Sequence, residues 1–105
     1  EVGLDLGNSG KFAVRFKTGS ITLAAGTSSS PTTKDISLTT TDCPSGYSVW
    51  GVICTLGNYL LPFTRATDNN YTKVSTYNDT KVTIENTSGI WNNYTYYMIL
   101  FLYKD

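Results

Sequence analysis

YSVWGVICTL (Tyr47–Leu56) and YTYYMILFLY (Tyr94–Tyr103) are the two stretches of the 105-residue sequence that decide its fold. Both are rich in β-branched and aromatic residues, which favour strands. Side chains alternate between the two faces of a strand, and both stretches are apolar on both faces. One face can line a core. The other face needs a cover, which is either a set of packed loops or another subunit.

Six further segments between turn residues predict strands, and Pro62 is expected to break or bend the fourth of them because proline cannot donate to a sheet ladder. They are Phe12–Lys17, Ser20–Ala25, Lys34–Thr39, Tyr59–Arg65, Tyr71–Tyr77 and Lys81–Asn86. In the last of them, Val82 and Ile84 are predicted to face inward and Glu85 to face solvent. No segment has helical periodicity. About eight strands at this spacing predict an all-β fold, an antiparallel β-sandwich or jelly-roll-like arrangement with no substantial helix. We expect residues 1–10 to be a linker or the end of a shaft, and residues 11–105 to be the β-sandwich binding domain.

The charge balance argues against two classes of partner. Lys plus Arg and Asp plus Glu each number 8, so the formal net charge is zero. Nucleic acid and anionic membranes attract basic surfaces, so neither is expected as a partner. The longest apolar run, Tyr96–Tyr103, is far shorter than the roughly 20 residues that span a bilayer, and no membrane insertion is expected. No signal peptide is recognisable, and the start at Glu1 suggests a fragment or a processed product.

Catalysis is not expected. The sequence has no His, which removes the commonest general base and metal ligand. It also lacks a phosphate-binding glycine loop and zinc-ligand spacing, so we expect no cofactor and no metal. Two carboxylates could serve a glycosidase, but the candidates have simpler explanations as turn or surface residues. These candidates are Asp42, Asp68, Asp79 and Glu85.

Two other features have limited weight. An extended strand over Tyr47–Leu56 would separate Cys43 from Cys54 by well over the ~7 Å between Cα atoms that a disulfide allows, so free thiols are expected. Four sequons begin at Asn70, Asn78, Asn86 and Asn93. They would suit a secreted, immunoglobulin-like glycoprotein domain, but the Cys…Trp…Cys spacing of that fold is missing.

Binding is the favoured function because aromatic and amide side chains cluster in and beside the turns. Tyrosine and tryptophan rings stack on the C–H face of sugars, and amide and carboxylate groups read hydroxyls. The same residue types also serve protein-binding loops. The simpler interpretation is packing at strand ends. The candidate ligand-binding residues are Asn58, Tyr59, Asp68, Asn69, Tyr71, Trp91, Asn92 and Tyr94.

Five segments in order resemble the C-terminal modules of phage tail fibres and baseplate receptor-binding proteins. They are Ser20–Gly26, Asp35–Leu38, Ser45–Val52, Lys81–Ser88 and Met98–Lys104. The similar features are a Gly-Tyr-x-x-x-Gly-Val strand, a Val-x-Ile-x-Asn-x-Ser strand and a final strand ending in Leu-Tyr-Lys. The resemblance covers roughly Ser20 to Asp105, and residues 1–10 match nothing in the family.

This resemblance implies a β-sandwich tip, usually a homotrimer, that attaches to a bacterial cell-surface glycan or protein. It implies a place in the virion tail after assembly in the bacterial cytoplasm, and it would assign the second apolar faces to a trimer contact. The family has no fixed binding motif, so it identifies no site residue. The alternative is a monomeric carbohydrate-binding module of a secreted bacterial protein, which would be extracellular.

Overall fold

The computed structural model describes residues 3–5, 11–62 and 72–104, the first of these ranges by its backbone. Within these ranges it contains eight strands and no helix, and hence no helix that could span a membrane. The strands are β1 (Gly3–Asp5), β2 (Phe12–Leu23), β3 (Thr32–Ser37), β4 (Tyr47–Leu56), β5 (Tyr59–Leu61), β6 (Lys73–Tyr77), β7 (Lys81–Asn86) and β8 (Trp91–Lys104). The all-β prediction is confirmed.

The strands form two antiparallel sheets that together make a β-sandwich. The five-stranded sheet has the order β1-β2-β8-β4-β5 and the three-stranded sheet has the order β3-β7-β6. The core between them combines β8 residues such as Met98 and Leu100 with Val82 and Ile84 of β7, all at most 1% exposed. The inward prediction for Val82 and Ile84 is therefore confirmed. The two strands that decided the fold are neighbours at the centre of the larger sheet.

β2 differs from its prediction as two strands. It continues through Gly19, which lies between the predicted strands Phe12–Lys17 and Ser20–Ala25. A Cβ atom at Gly19 would lie 2.8 Å from the ring of Tyr96 on β8, so the glycine leaves room for that ring. Cross-strand packing, rather than a turn, explains this glycine.

The apolar side of the predicted strand Phe12–Lys17, which consists of Phe12, Val14 and Phe16, faces away from the core. Ala13 and Ile21 belong to the core between the sheets, whereas Phe16 on the alternate face is exposed. Apolar alternation identifies the strand but does not say which face the second sheet covers. Here the covered face carries Lys17, whose ammonium donates to the Asp42 carboxylate at 2.9 Å.

The prediction that Glu85 faces solvent is wrong. Glu85 is buried and lies opposite Lys73 in the β6–β7 ladder, with Lys73 Nζ 3.4 Å from Glu85 Oε2. Burial of a charged group is tolerated when an opposite charge lies against it. The alternation of Glu85 with Val82 and Ile84 led to the solvent-facing prediction, but its charge partner lies on the neighbouring strand.

Short strands at both edges of the larger sheet bear on two further expectations. Residues 3–5, expected within a linker or shaft, form β1 and pair with β2. β5 ends at Leu61, directly before Pro62, as the missing amide hydrogen of proline requires. The rest of that predicted strand, residues 63–65, lies outside the described residues.

Cys43 and Cys54 are free and buried, and burial raises the pKa of Cys54 to about 11.

Candidate functional site

Three of the predicted aromatic residues meet at one end of the sandwich. We call Tyr59 of β5, with Trp91 and Tyr94 of β8, the aromatic cluster. The ring centroids of Tyr59 and Trp91 are 5.7 Å apart, and those of Trp91 and Tyr94 are 4.8 Å apart. Both pairs pack edge to face, an arrangement that the charge distribution of aromatic rings favours. Trp91 is thus the centre of the cluster.

A β-bulge places Trp91 and Tyr94 together. Residues three apart on a regular strand point to opposite faces. Here Ile21 pairs with Tyr94 and Leu23 pairs with Trp91, so β8 has one more residue than β2 over this interval. Asn93 absorbs the extra residue with φ 55°, a left-handed conformation that Asn adopts more readily than most residues. The bulge therefore turns both rings to one side.

The hairpin between β4 and β5 brings in the third ring. Leu56 pairs with Tyr59, which leaves Gly57 and Asn58 as a two-residue turn. Gly57 has φ +59°, and this type of turn commonly needs a glycine with positive φ. Its amide donates to the carbonyl of Thr95 at 2.7 Å, which ties the turn to β8 beside Tyr94.

A hydrogen-bonded network behind the cluster fixes the orientation of Trp91. The indole Nε1–H donates to Thr72 Oγ1 at 2.9 Å, and that hydroxyl donates to Asn86 Oδ1 at 2.8 Å. Asn86, which is fully buried, donates through Nδ2 to the carbonyl of Ala24 at 2.8 Å. Ser88 donates its amide and its hydroxyl to the same Asn86 oxygen. The network connects both sheets and holds the Trp91 ring in one position.

Two surface depressions flank the cluster. One has a volume of about 260 Å³ and the other about 330 Å³. Tyr59, Ser88 and Trp91 line both. The first is completed by Gly89, Ile90 and Tyr94, and the second by Leu60, Leu61, Pro62 and Thr72. Together they form an aromatic surface that also includes Ser88 and Thr72.

The structure brings together some of the predicted site residues and separates others. Tyr59, Trp91 and Tyr94 form the cluster, whereas Asn58 and Asn92 are exposed beside it and line neither depression. The predicted Asp68, Asn69 and Tyr71 lie outside the described residues. Sequence reasoning missed the contributions of Ser88, Ile90 and Thr72. No sequence signal indicated the contact between Thr72 and Trp91.

The carboxylates considered for catalysis have structural partners where they are described. Asp42 accepts from the Thr39 amide at 2.8 Å and from Lys17, and Asp79 accepts from the Val49 amide at 2.9 Å. Burial alone would raise the pKa of Asp42, but these hydrogen bonds and the charge of Lys17 lower it overall. Among the described residues, no three His, Cys, Asp or Glu side chains lie close enough to hold a metal ion.

The sequons are affected by the same network. The amide of Asn86 is buried and engaged on both its nitrogen and its oxygen, so it is not accessible for glycosylation in the folded domain. Asn78 accepts from the amides of Thr80 and Lys81, which stabilises the turn before β7. Asn93 is exposed, and Asn70 lies outside the described residues. These contacts explain two of the four Asn residues without a glycan.

Comparison with protein-family models, with curated proteins and with solved structures finds no match to this chain.

Proposed function

We propose that this chain is a non-catalytic recognition domain whose aromatic cluster binds a bacterial cell-surface glycan, as the tip domain of a phage tail fibre or receptor-binding protein. The observation that carries the proposal is the packing of Tyr59 and Tyr94 against Trp91 between two depressions. The resemblance of five sequence segments to phage receptor-binding modules supports the biological setting.

The chemistry of the cluster suits a sugar. A pyranose presents a patch of C–H groups that packs on an aromatic face, while its hydroxyls need hydrogen-bonding partners at the edges. Tyr59 is 58% exposed and Tyr94 is 37% exposed, so both offer ring surface to solvent. The Ser88 hydroxyl donates to Asn86 and can still accept a hydrogen bond from a ligand hydroxyl.

The network behind Trp91 supports binding because it prepares the surface in advance. Its N–H already has a partner in Thr72, so the ring does not need to reorient when a ligand arrives. A preorganised site loses less conformational entropy on binding than a mobile one. Rigid aromatic side chains also combine a large contact area with few rotatable bonds.

The free cysteines support the proposed place of assembly. Cys43 and Cys54 are buried thiols, which is usual for proteins that fold in a reducing cytoplasm. A phage tail protein assembled in the bacterial cytoplasm and then carried on the virion meets this condition.

The alternative is a monomeric carbohydrate-binding module of a secreted protein. The oligomeric state of the chain distinguishes it from a phage tip domain.

The test is a binding screen on an array of bacterial capsular, teichoic-acid and lipopolysaccharide saccharides, followed by calorimetry with the strongest saccharide. We expect Tyr59→Ala and Tyr94→Ala each to weaken binding about tenfold or more, equivalent to about 1.4 kcal/mol. Tyr103→Ala is the matched control, because Tyr103 is 36% exposed and lies near the opposite end of β8. Binding that both cluster variants retain would refute the site, and an array without any bound saccharide would refute the ligand class.

A further inference from the structure

The first depression beside the aromatic cluster, of about 260 Å³, combines one aliphatic hydroxyl with an aliphatic side chain. The hydroxyl is that of Ser88, and the aliphatic side chain is that of Ile90. Gly89 and the three rings of the cluster complete its described lining. Ile90 is 64% exposed, so its side chain borders the depression and is open to a ligand. Such a lining suits a ligand group that is polar at one atom and apolar close by.

The hydrogen bonds of Ser88 within the domain decide what its hydroxyl offers to a ligand. Its amide and its hydroxyl both donate to Asn86 Oδ1, at 3.1 and 3.0 Å, and its carbonyl accepts from the amide of Gly26 at 2.9 Å. A hydroxyl has a single proton to donate and two lone pairs. Ser88 Oγ therefore presents only lone pairs to the depression, and it selects a ligand atom that donates a hydrogen bond.

The turn that carries Ser88 and Ile90 is held by one buried side chain. Asn86 accepts from Ser88 through Oδ1, and its Nδ2 donates to the carbonyl of Gly89 at 3.0 Å. The fold rather than the ligand thus sets the position of the Ser88 hydroxyl relative to Ile90. A preorganised pair of this kind discriminates between ligands because it does not adapt to a poor fit.

An acetamido group meets both requirements of the depression. Its amide N–H is a donor, and its methyl group is apolar and lies on the adjacent carbonyl carbon. A sugar hydroxyl could also donate to Ser88, but it has no apolar group to pack against Ile90. A uronate or a phosphate brings only acceptor oxygens to a hydroxyl that already presents lone pairs. The described lining therefore favours an acetamido group over a hydroxyl or an acidic group.

We propose that the aromatic cluster selects an N-acetylated amino sugar, whose acetamido N–H donates to Ser88 and whose methyl group packs against Ile90. This inference rests on the proposed function, because it names the class of sugar that the same site takes. One buried methyl group and one added hydrogen bond together raise the affinity about tenfold over the same sugar with a hydroxyl in place of the acetamido group. Ile90 is then a specificity-determining residue, and the rings of the cluster hold the sugar itself.

The test compares the methyl glycosides of N-acetylglucosamine, glucose and glucuronic acid by NMR titration. We expect the N-acetylglucosamine glycoside to bind about tenfold more tightly than the glucose glycoside, and the glucuronide to bind no better than glucose. Saturation-transfer NMR is expected to give its strongest signal on the acetamido methyl group. Ile90→Ser is expected to reduce the preference for N-acetylglucosamine to about threefold, because the methyl group loses its apolar contact. Ile53→Ser is the matched control, because Ile53 is 43% exposed but lines a different groove, and it is expected to keep the full preference.

Equal affinity for the N-acetylglucosamine and glucose glycosides would overturn this inference and leave the proposed function standing. So would an unchanged preference in Ile90→Ser, or a saccharide array whose strongest saccharide contains no N-acetylated amino sugar. The strongest saccharide is also measured before and after chemical N-deacetylation, and retained affinity after that treatment would overturn the inference as well. An array without any bound saccharide would instead refute the proposed function, and this inference with it.

Discussion

Thr72→Val tests the role of the network that holds Trp91. The substitution keeps the shape of the side chain and replaces its hydroxyl with a methyl group. The hydroxyl joins two hydrogen bonds, because it accepts from Trp91 Nε1 at 2.9 Å and donates to Asn86 Oδ1 at 2.8 Å. Both bonds are lost in the variant, and Thr72 is only 5% exposed, so water has little access to replace it.

The expected loss in the free energy of unfolding depends on which group Thr72→Val leaves without a hydrogen-bond partner. The Asn86 oxygen still accepts from the amide and hydroxyl of Ser88, at 3.1 and 3.0 Å. The Trp91 N–H, which is partly buried, loses its partner, and a donor left without one costs about 1–3 kcal/mol. We therefore expect the free energy of unfolding to fall by about 2 kcal/mol. Glycan affinity is expected to fall as well, because the Trp91 ring is no longer held in one orientation.

The assay is urea unfolding followed by tryptophan fluorescence, with calorimetric titration of the strongest saccharide. Thr33→Val is the matched control, because Thr33 is exposed on β3 and surface changes of this kind stay within about 0.5 kcal/mol. The reasoning is refuted if Thr72→Val and Thr33→Val unfold with the same free energy. Unchanged saccharide affinity in a destabilised Thr72→Val would separate the network from binding and leave it a purely structural role.

Two further substitutions test the fold. Gly26→Ala places a Cβ against the carbonyl oxygen of Asn86, which belongs to the backbone and cannot move aside. A cost of about 2 kcal/mol and a fall in Tm of about 10 °C are expected by calorimetry, whereas Gly89→Ala, with no atom within 4 Å, should change little. Asp42→Asn is expected to lower the free energy of unfolding by about 1–3 kcal/mol at pH 7, since it removes a charged hydrogen bond with Lys17. The folded pKa of Asp42 is lowered, so its contribution is present above the unfolded value near 3.9 and is lost as pH falls through the folded pKa. The difference between unmodified protein and variant should therefore shrink between pH 5 and pH 2 in a urea titration, and a difference that is constant over this range would contradict the assignment.

The sequence predicts the strands well because their signals are local. β4 begins at Tyr47 and ends at Leu56, as the run of aromatic and β-branched residues indicates, and β7 covers Lys81–Asn86 as predicted. The sequence correctly predicts which side of the sheet Val82 and Ile84 face, because apolar side chains alternate with polar ones there. In β2 the apolar alternation was present, but the second sheet covers the other side, and Phe16 is exposed. Which side is covered depends on a strand distant in sequence.

The candidate site follows the same division between local and distant information. The sequence predicts Tyr59, Trp91 and Tyr94 as ligand-binding residues, but regular strand geometry would point Trp91 and Tyr94 to opposite faces. The bulge at Asn93 reverses this, and it exists only in the pairing of β8 with β2. A bulge at a sheet end is a common means of redirecting side chains. The extra residue interrupts the ladder and places the Trp91 and Tyr94 rings on one side of the sheet. The proposed ligand site therefore depends on the bulge, because Trp91 and Tyr94 would point to opposite faces of β8 in a regular strand.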